Sequence, residues 1–283
     1  NLRYGENPNQ NSFVIEKGIK KTYDLQLNGK KLSYNNILDV DIGLKCLSEF
    51  KEPTCVIVKH NNPCGVASSK RIDVSFKRAY DADQKSSFGG IVLLNAKVDK
   101  KLSNTISKKF FEILVARDFE SDALKILKKN KKLIILKINK IVLKKKEFRS
   151  TVFGTIFQDR DDLKINKDFC KLVSQKKSSA KSLDDLIFSL KVVKYLNSNA
   201  IVISCNKQTI GIGVGQTNRV DALKIALSKV KKGKVSKKPL VCASDGFFPF
   251  TDSLKILYRN NCKVIAQPFG SINDHKNIEY ANN

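Results

Sequence analysis

The chain contains two histidines, and one of them, His60, lies in the stretch VIVKHNNPCG at residues 56–65. An imidazole titrates near neutrality and can relay protons. The adjacent Lys59 supplies an ammonium that can stabilise developing negative charge. That pairing suits proton transfer at the end of a strand, because Cys55 to Val58 form a run fit for burial. It equally suits a polar loop that closes a core strand, and the residues alone leave both readings open. A zinc site on His60 and Cys64 would lack the second cysteine of a CxxC pair, and no His-x-Glu occurs. A zinc deaminase is therefore not expected.

Two further stretches carry chemistry. IGIGVGQTNR places Gly211, Gly213 and Gly215 on alternate positions ahead of a helical pattern. This is not the GxGxxG of a dinucleotide cradle, and alternate glycines in a strand also let another backbone or a ligand approach closely. Arg219, which follows, is a scarce residue type here and binds planar anions well. SDGFFPFTD groups Phe247, Phe248 and Phe250 around Pro249, between Asp245 and Asp252. Three phenylalanines so close suit a core, and rings beside a carboxylate also suit a flat amino-heterocycle.

The elements that must position these groups read as alternating strands and helices. SYNNILDVDIGLKCLSEF has helical spacing, CVIV is a short strand leading into a KHNNPCG loop, and SFKRAYDAD is a second helix. SFGGIVLLN is a glycine turn into a strand. Helical patterning returns in SNTISKKFFEIL and FESDALKILKK, KKLIILKI is strand-like, and TVFGTIFQDRDD is a strand ending in an acidic turn. VSQKKSSAK, residues 173–181, is the best linker. In SLDDLIFSLKVVKYLNS, Ser182 and Asp185 have the spacing of a helix cap. AIVISCNKQTIGIGVGQ predicts two strands about an Asn-Lys-Gln turn, RVDALKIALSKV a helix, LVCASDGFFPF a strand with an aromatic turn, and CKVIAQPFGSINDH a last strand. The order implies an α/β architecture with its site in the loops at strand ends.

Composition narrows the class. At 283 residues and 41% hydrophobic content, the chain can bury one large core or two moderate ones. The net charge is +26, but only eight of the 53 basic residues are arginine and the other 45 are lysine. Clusters such as KKNKK and KKKEF read as solvated surface, whereas nucleic-acid sites lean on arginine forks and interleaved aromatics. The expectation is no specific nucleic-acid partner, with a basic field that favours anionic small substrates. Seven scattered cysteines without a CxxC read as thiols in a reducing cytoplasm. No apolar run approaches a membrane span, so no membrane partner is expected. The absence of methionine reads as an excised part of a longer product.

Taken together and in order, RYGENPNQ, LSYNNILDVD, VIVKHNNPCG, SSFGGIV, TIFQDRD, SNAIVI, IGIGVGQTNRV and SDGFFPFTD closely resemble the AICAR transformylase family. This is the formyltransferase portion of a bifunctional purine-biosynthesis enzyme that usually also carries IMP cyclohydrolase. The resemblance runs from Leu2 to about Asn273. It implies two cytidine-deaminase-like α/β lobes with mixed sheets and no zinc ligands, divided near residue 175 into 1–175 and 176–283. It also implies an intertwined homodimer with sites at the interface. The implied reaction moves a formyl group from 10-formyltetrahydrofolate, a co-substrate, to the 5-amine of AICAR. No covalent intermediate and no catalytic metal are required, though a structural monovalent cation is allowed.

By the same resemblance, His60 transfers the proton, Lys59 assists through charge and hydrogen bonding, and Asn199 lies beside the reacting groups. Arg3, Tyr4, Gly89, Glu112 and Arg219 would hold AICAR, with Glu112 near the ribose hydroxyls and Arg219 also near folate. Phe247, Phe250 and Asp252 would line the folate pocket, Asp252 reading the pterin edge. By the resemblance, the chain starts at the transformylase motif without the cyclohydrolase portion, so no ring-closing activity is expected; it also stops short of the family's arginine-bearing tail, which implies a weaker hold on the nucleotide phosphate. A fold-competent but weakly active fragment and a basic nucleic-acid-binding domain are the competing readings.

Overall fold

A helix starts where side chains can satisfy the orphan amides of its first turn. In the computed structural model, which describes residues 1–15, 25–230 and 239–283, Ser33 accepts from the Asn36 amide and Asn36 accepts from the Ser33 amide. This reciprocal cap opens α1 (Tyr34–Leu47). Around it lie β1 (Gln26–Asn28), β2 (Thr54–Lys59), β3 (Asn62–Ser68), β4 (Ile91–Val98), β5 (Ile113–Phe119) and β6 (Ile134–Lys137). They form one sheet in the order β1-β6-β5-β4-β2-β3. β2 is antiparallel to β3 and β4, while β4, β5 and β6 run parallel.

Strand alternation sorts the side chains. Val56, Val58, Leu93 and Val115 pack with Val40 and Leu47 of α1. Cys55, Ile57, Val92 and Leu114 face the other way, under α2 (Ile72–Ala82), α4 (Lys100–Ser107) and α5 (Ser121–Leu127). A single turn, α3 (Gln84–Ser87), precedes β4. The hairpin of β7 (Lys146–Thr151) and β8 (Gly154–Asp159) stands apart as its own sheet.

The later residues repeat this plan. The helix α6 (Ala180–Val193) is followed by β9 (Ile201–Ser204), β10 (Thr209–Gly213), α7 (Arg219–Lys229), β11 (Leu240–Ser244), α8 (Asp252–Arg259) and β12 (Cys262–Ala266). Their sheet, β10-β9-β11-β12, has the strand directions of β3-β2-β4-β5. A last helix, α9 (Asp274–Asn282), closes against α8. The two sheets meet edge to edge: Ala67 pairs with Gln208, and the Ser68 amide donates to the Lys207 carbonyl at 2.9 Å. One core spans the junction, joining Val40, Val58 and Val66 to Phe188, Val192, Val202 and Ala243.

Several expectations need correction. NPCG is not a loop: Pro63 to Gly65 lie in β3, with the proline at a register shift next to the strand's start, where its missing N–H is tolerated. The helix expected over SNTISKKFFEIL stops at Ser107, and its apolar end becomes β5, buried between β4 and β6. TVFGTIFQDRDD holds the turn and second strand of a hairpin rather than one strand. Ser182 does not cap α6; Ser179 does, and Asp185 instead reaches the β9–β10 turn.

Two of the three alternate glycines have a packing reason. A Cβ on Gly211 would run into the Ala226 carbonyl oxygen of α7, and one on Gly213 into that of Ala222. Gly65 meets the Ala79 carbonyl of α2 in the same way. Gly213→Ala should therefore lower unfolding free energy by about 2–3 kcal/mol through overpacking, read from urea midpoints at constant m-value. A parental midpoint would show that α7 can move away at no cost.

Candidate active site

Lys59 and Asn62 pair across the end of the β2–β3 hairpin, leaving His60 and Asn61 as a two-residue turn. Their φ angles are +52° and +58°, the left-handed pair that matches the twist of the flanking strands. Asp39 of α1 accepts from the Asn61 amide at 2.5 Å, and Asn62 Nδ2 donates to the His60 carbonyl at 3.0 Å. Lys59 Nζ donates to the Phe88 and Gly89 carbonyls, each at 3.1 Å, leaving one ammonium N–H uncommitted by these two bonds. Gly89 has φ +64°, and a Cβ there would sit 3.3 Å from Lys59 Nζ and 3.1 Å from the Phe110 ring.

Arg3 and Tyr4 reach the same sheet end because the Arg3 amide donates to the Leu32 carbonyl and the Tyr4 carbonyl accepts from Tyr34. The Arg3 guanidinium lies 4.7 Å from the Tyr4 ring centroid and 3.5 Å from Glu112 Oε1. Glu112 itself stands just ahead of β5, and Lys30 Nζ is 4.0 Å from it. Burial pushes the Asp39 carboxyl above the usual aspartate range, against the Asn61 amide and the nearby His60 and Lys59.

A second group forms at the start of α7. Arg219 donates to Ser244 Oγ at 2.8 Å, to Asn199 Oδ1 at 2.6 Å and to Asp245. The Asn199 amide nitrogen donates to the Gln216 carbonyl at 2.8 Å. Asp245 also accepts from the Ala200 amide at 2.9 Å and from the Ser198 hydroxyl. The two groups are tied by one side chain: Asn62 Oδ1 accepts from the Asn197 amide at 3.0 Å, two residues before Asn199.

The aromatic stretch divides. Phe248 is fully buried and its amide donates to Gln267 Oε1 at 2.8 Å. Phe247 and Phe250 are exposed, and Asp252 opens α8 with its carboxylate on the Ser253 amide at 2.8 Å. Among the described residues, no hydrogen bond or ion pair ties these three to the Arg219 group, although Gly246 packs directly under the Arg219 guanidinium. Cys64 is a packing group: burial pushes its thiol up to about 12. Among the described residues no three His, Cys, Asp or Glu side chains are grouped to hold a metal ion, and no helix is long and apolar enough to cross a membrane.

The family model described as AICARFT/IMPCHase bienzyme matches residues 1–229. The chain belongs to that family. Among members of the AICARFT/IMPCHase bienzyme family, it is 44% identical over 289 residues to the bifunctional purine biosynthesis protein PurH of Caldicellulosiruptor bescii. It is 45% identical over 290 residues to PurH of Buchnera aphidicola subsp. Schizaphis graminum, and 41% identical over 291 residues to PurH of Lactobacillus delbrueckii subsp. bulgaricus. These alignments take in 99% of this chain and 55–56% of each relative, so it spans a little over half their length.

Asp39 and Asn62 of this AICARFT/IMPCHase chain escaped the reading of its motifs as site residues, and Asp245 was read only as an acid flanking the phenylalanines, not as the partner of Arg219. Asp39 lies inside LSYNNILDVD and Asn62 directly follows Lys59-His60-Asn61, so proximity in sequence was the available signal. Burial raises the Asp245 carboxyl, but Ser198, the Ala200 amide and Arg219 outweigh it and hold the group below the ordinary 3.8. A depressed carboxyl stabilises the fold when ionised. That contribution is complete above 3.8 and is lost as pH falls through the folded-state value. Asp245→Asn should lower stability at neutral pH by about 2 kcal/mol and make stability fall less steeply in acid. Urea midpoints compared at about pH 7 and about pH 3 check this, and parallel pH profiles would refute it.

Proposed function

We propose that this chain carries out formyl transfer in purine biosynthesis, in the cytoplasm, moving the formyl group of 10-formyltetrahydrofolate to the 5-amine of AICAR. The observation that carries the reading is the junction of Lys59-His60-Asn61 with the Asn199 loop through Asn62, in a chain of the AICARFT/IMPCHase bienzyme family. The relatives' name, bifunctional purine biosynthesis protein, supports the metabolic role. No ring-closing step is proposed for this chain.

The AICAR amine is a poor nucleophile because its lone pair is delocalised into the ring and carboxamide. Attack on the formyl carbon therefore needs a base close to the nitrogen and donors close to the formyl oxygen. His60 takes the amine proton as the new C–N bond forms. The ammonium of Lys59 and the amide of Asn199 stabilise the oxyanion. Collapse of the tetrahedral adduct breaks the bond to N10 of the folate, and His60 returns the proton to that nitrogen. Arg219, held by Asp245 and Ser244, keeps Asn199 in place.

In this reading Arg3, Tyr4, Gly89 and Glu112 hold the nucleotide at the opposite wall, with Glu112 accepting from ribose hydroxyls. The exposed rings of Phe247 and Phe250 offer stacking faces for the pterin, and Asp252 an acceptor for its amino edge. The basic charge of +26 favours both anionic substrates. A second copy of the chain is the proposed partner, supported by the exposed apolar side chains Phe148, Phe153 and Phe157 of the β7–β8 hairpin. Neither a nucleic acid nor a membrane is proposed.

Tetrahydrofolate release from 10-formyltetrahydrofolate, measured with and without AICAR, tests the reading. Turnover should require AICAR and fall by about 100-fold or more in His60→Ala. Absence of both turnover and calorimetric AICAR binding in the parent would refute it.

A further inference from the structure

We propose that Asp39 and Asn62 are positioning residues that lock the peptide between His60 and Asn61, and with it the imidazole, against the Asn199 loop. In a two-residue hairpin turn the flanking residues pair across the ladder, but the central peptide has no ladder partner. Here both ends of that peptide are held. Its N–H, on Asn61, donates to Asp39 Oδ1 at 2.5 Å, and its C=O, on His60, accepts from Asn62 Nδ2 at 3.0 Å. The other end of the Asn62 amide accepts from the Asn197 backbone at 3.0 Å. A continuous chain of hydrogen bonds thus runs from α1 through the histidine turn to the loop bearing Asn199.

The need for the clamp is physical. Two adjacent non-glycine residues in the left-handed region cost roughly 1 kcal/mol or more each and persist where surrounding contacts over-determine them. The repeat within the chain shows the same device without a histidine. Asn206 and Lys207 form the β9–β10 turn with φ +53° and +51°. Asp185 of α6 accepts from both of their amides, each at 2.7 Å. Asp39 and Asp185 are each the sixth residue of a 14-residue helix. Each lies 22 positions before the second residue of the turn it holds. One carboxylate therefore holds a hairpin turn in each half, and only the first half mounts an imidazole on that turn.

This rests on the reading of His60 as the proton acceptor, and the experiment separates the two claims. The full chain carries 13C-labelled histidine, so His60 and His275 give the two Cε1–Hε1 signals. Asp39→Ala should move the His60 signal, leave that of His275, and lower kcat on the order of 100-fold with KM for AICAR within about threefold. Asn62→Ala should do the same from the carbonyl end. Asp39→Asn keeps an acceptor oxygen, so it should restore the parental His60 signal and at least about a tenth of kcat. Asp185→Ala should lower stability without moving His60.

Parental signal and kcat in Asp39→Ala would overturn the proposal. So would Asp39→Asn being as damaging as Asp39→Ala, or Asp185→Ala moving His60 as far. If Asp39→Ala loses the His275 signal, and hence its fold, Asn62→Ala decides: an unmoved His60 signal overturns the clamp. A parent that neither turns over nor binds AICAR refutes the formyl-transfer reading alone, because the His60 signal still reports the clamp.

Discussion

One buried hydroxyl holds the two sheets in register. Thr209 Oγ1 accepts from the Val66 amide at 3.0 Å and donates to the Val66 carbonyl at 3.2 Å, satisfying both backbone groups of an edge residue that water cannot reach. Each such group left unpaired would cost about 1–3 kcal/mol. Arg78 of α2 extends the junction by donating to the Ser68 and Asn206 carbonyls and to Gln208 Oε1, and Gln208 returns a bond to the Arg78 carbonyl. Because β3 and β10 are pinned along their edges, the shared core of α1 and α6 closes over both sheets at once.

That junction brings two polar groups together. The end of β2 and the loop ahead of β9 are far apart in the chain, yet the paired edges bring them within reach of a single asparagine side chain. On one side stand a histidine turn, an ammonium held by two carbonyls, and the Arg3–Glu112 pair. On the other, a carboxylate, an arginine and an asparagine form a fixed row of alternating acceptors and donors. Fixed dipoles of this kind stabilise transient charge without having to reorganise.

The repeat explains both economy and divergence. Helix, strand, left-handed turn, strand and helix recur with the same strand directions and the same helix aspartate. Glycines let the following helix approach the second strand in both halves, at Gly65 and at Gly211. Against that common frame the turn residues differ. His60-Asn61 is tied through Asn62 to the loop ahead of β9, while Asn206-Lys207 lies against the edge of the other sheet, where Lys207 Nζ pairs with Glu52 at 2.6 Å.

Much of this frame was legible in the chain itself. The runs CVIV, AIVIS and LVCAS declare buried strands, and SYNNILDV carries its apolar stripe, because periodicity acts over a few residues. A polar strand end singled out Lys59 and His60 as candidates and scarcity singled out Arg219, whereas Asn199 was named only through the family resemblance. What local pattern could not tell was decided by partners distant in sequence. The apolar end of SNTISKKFFEIL became β5 because two parallel strands needed a neighbour, and NPCG became a strand because β2 supplied its ladder. Asp185 abandoned a helix cap for a turn 21 residues away, where two orphan amides outcompeted one. Asp39, Asn62 and Asp245 gain their meaning only there. A hydrogen bond needs its donor and acceptor within about 3 Å, and that proximity is a property of the folded chain.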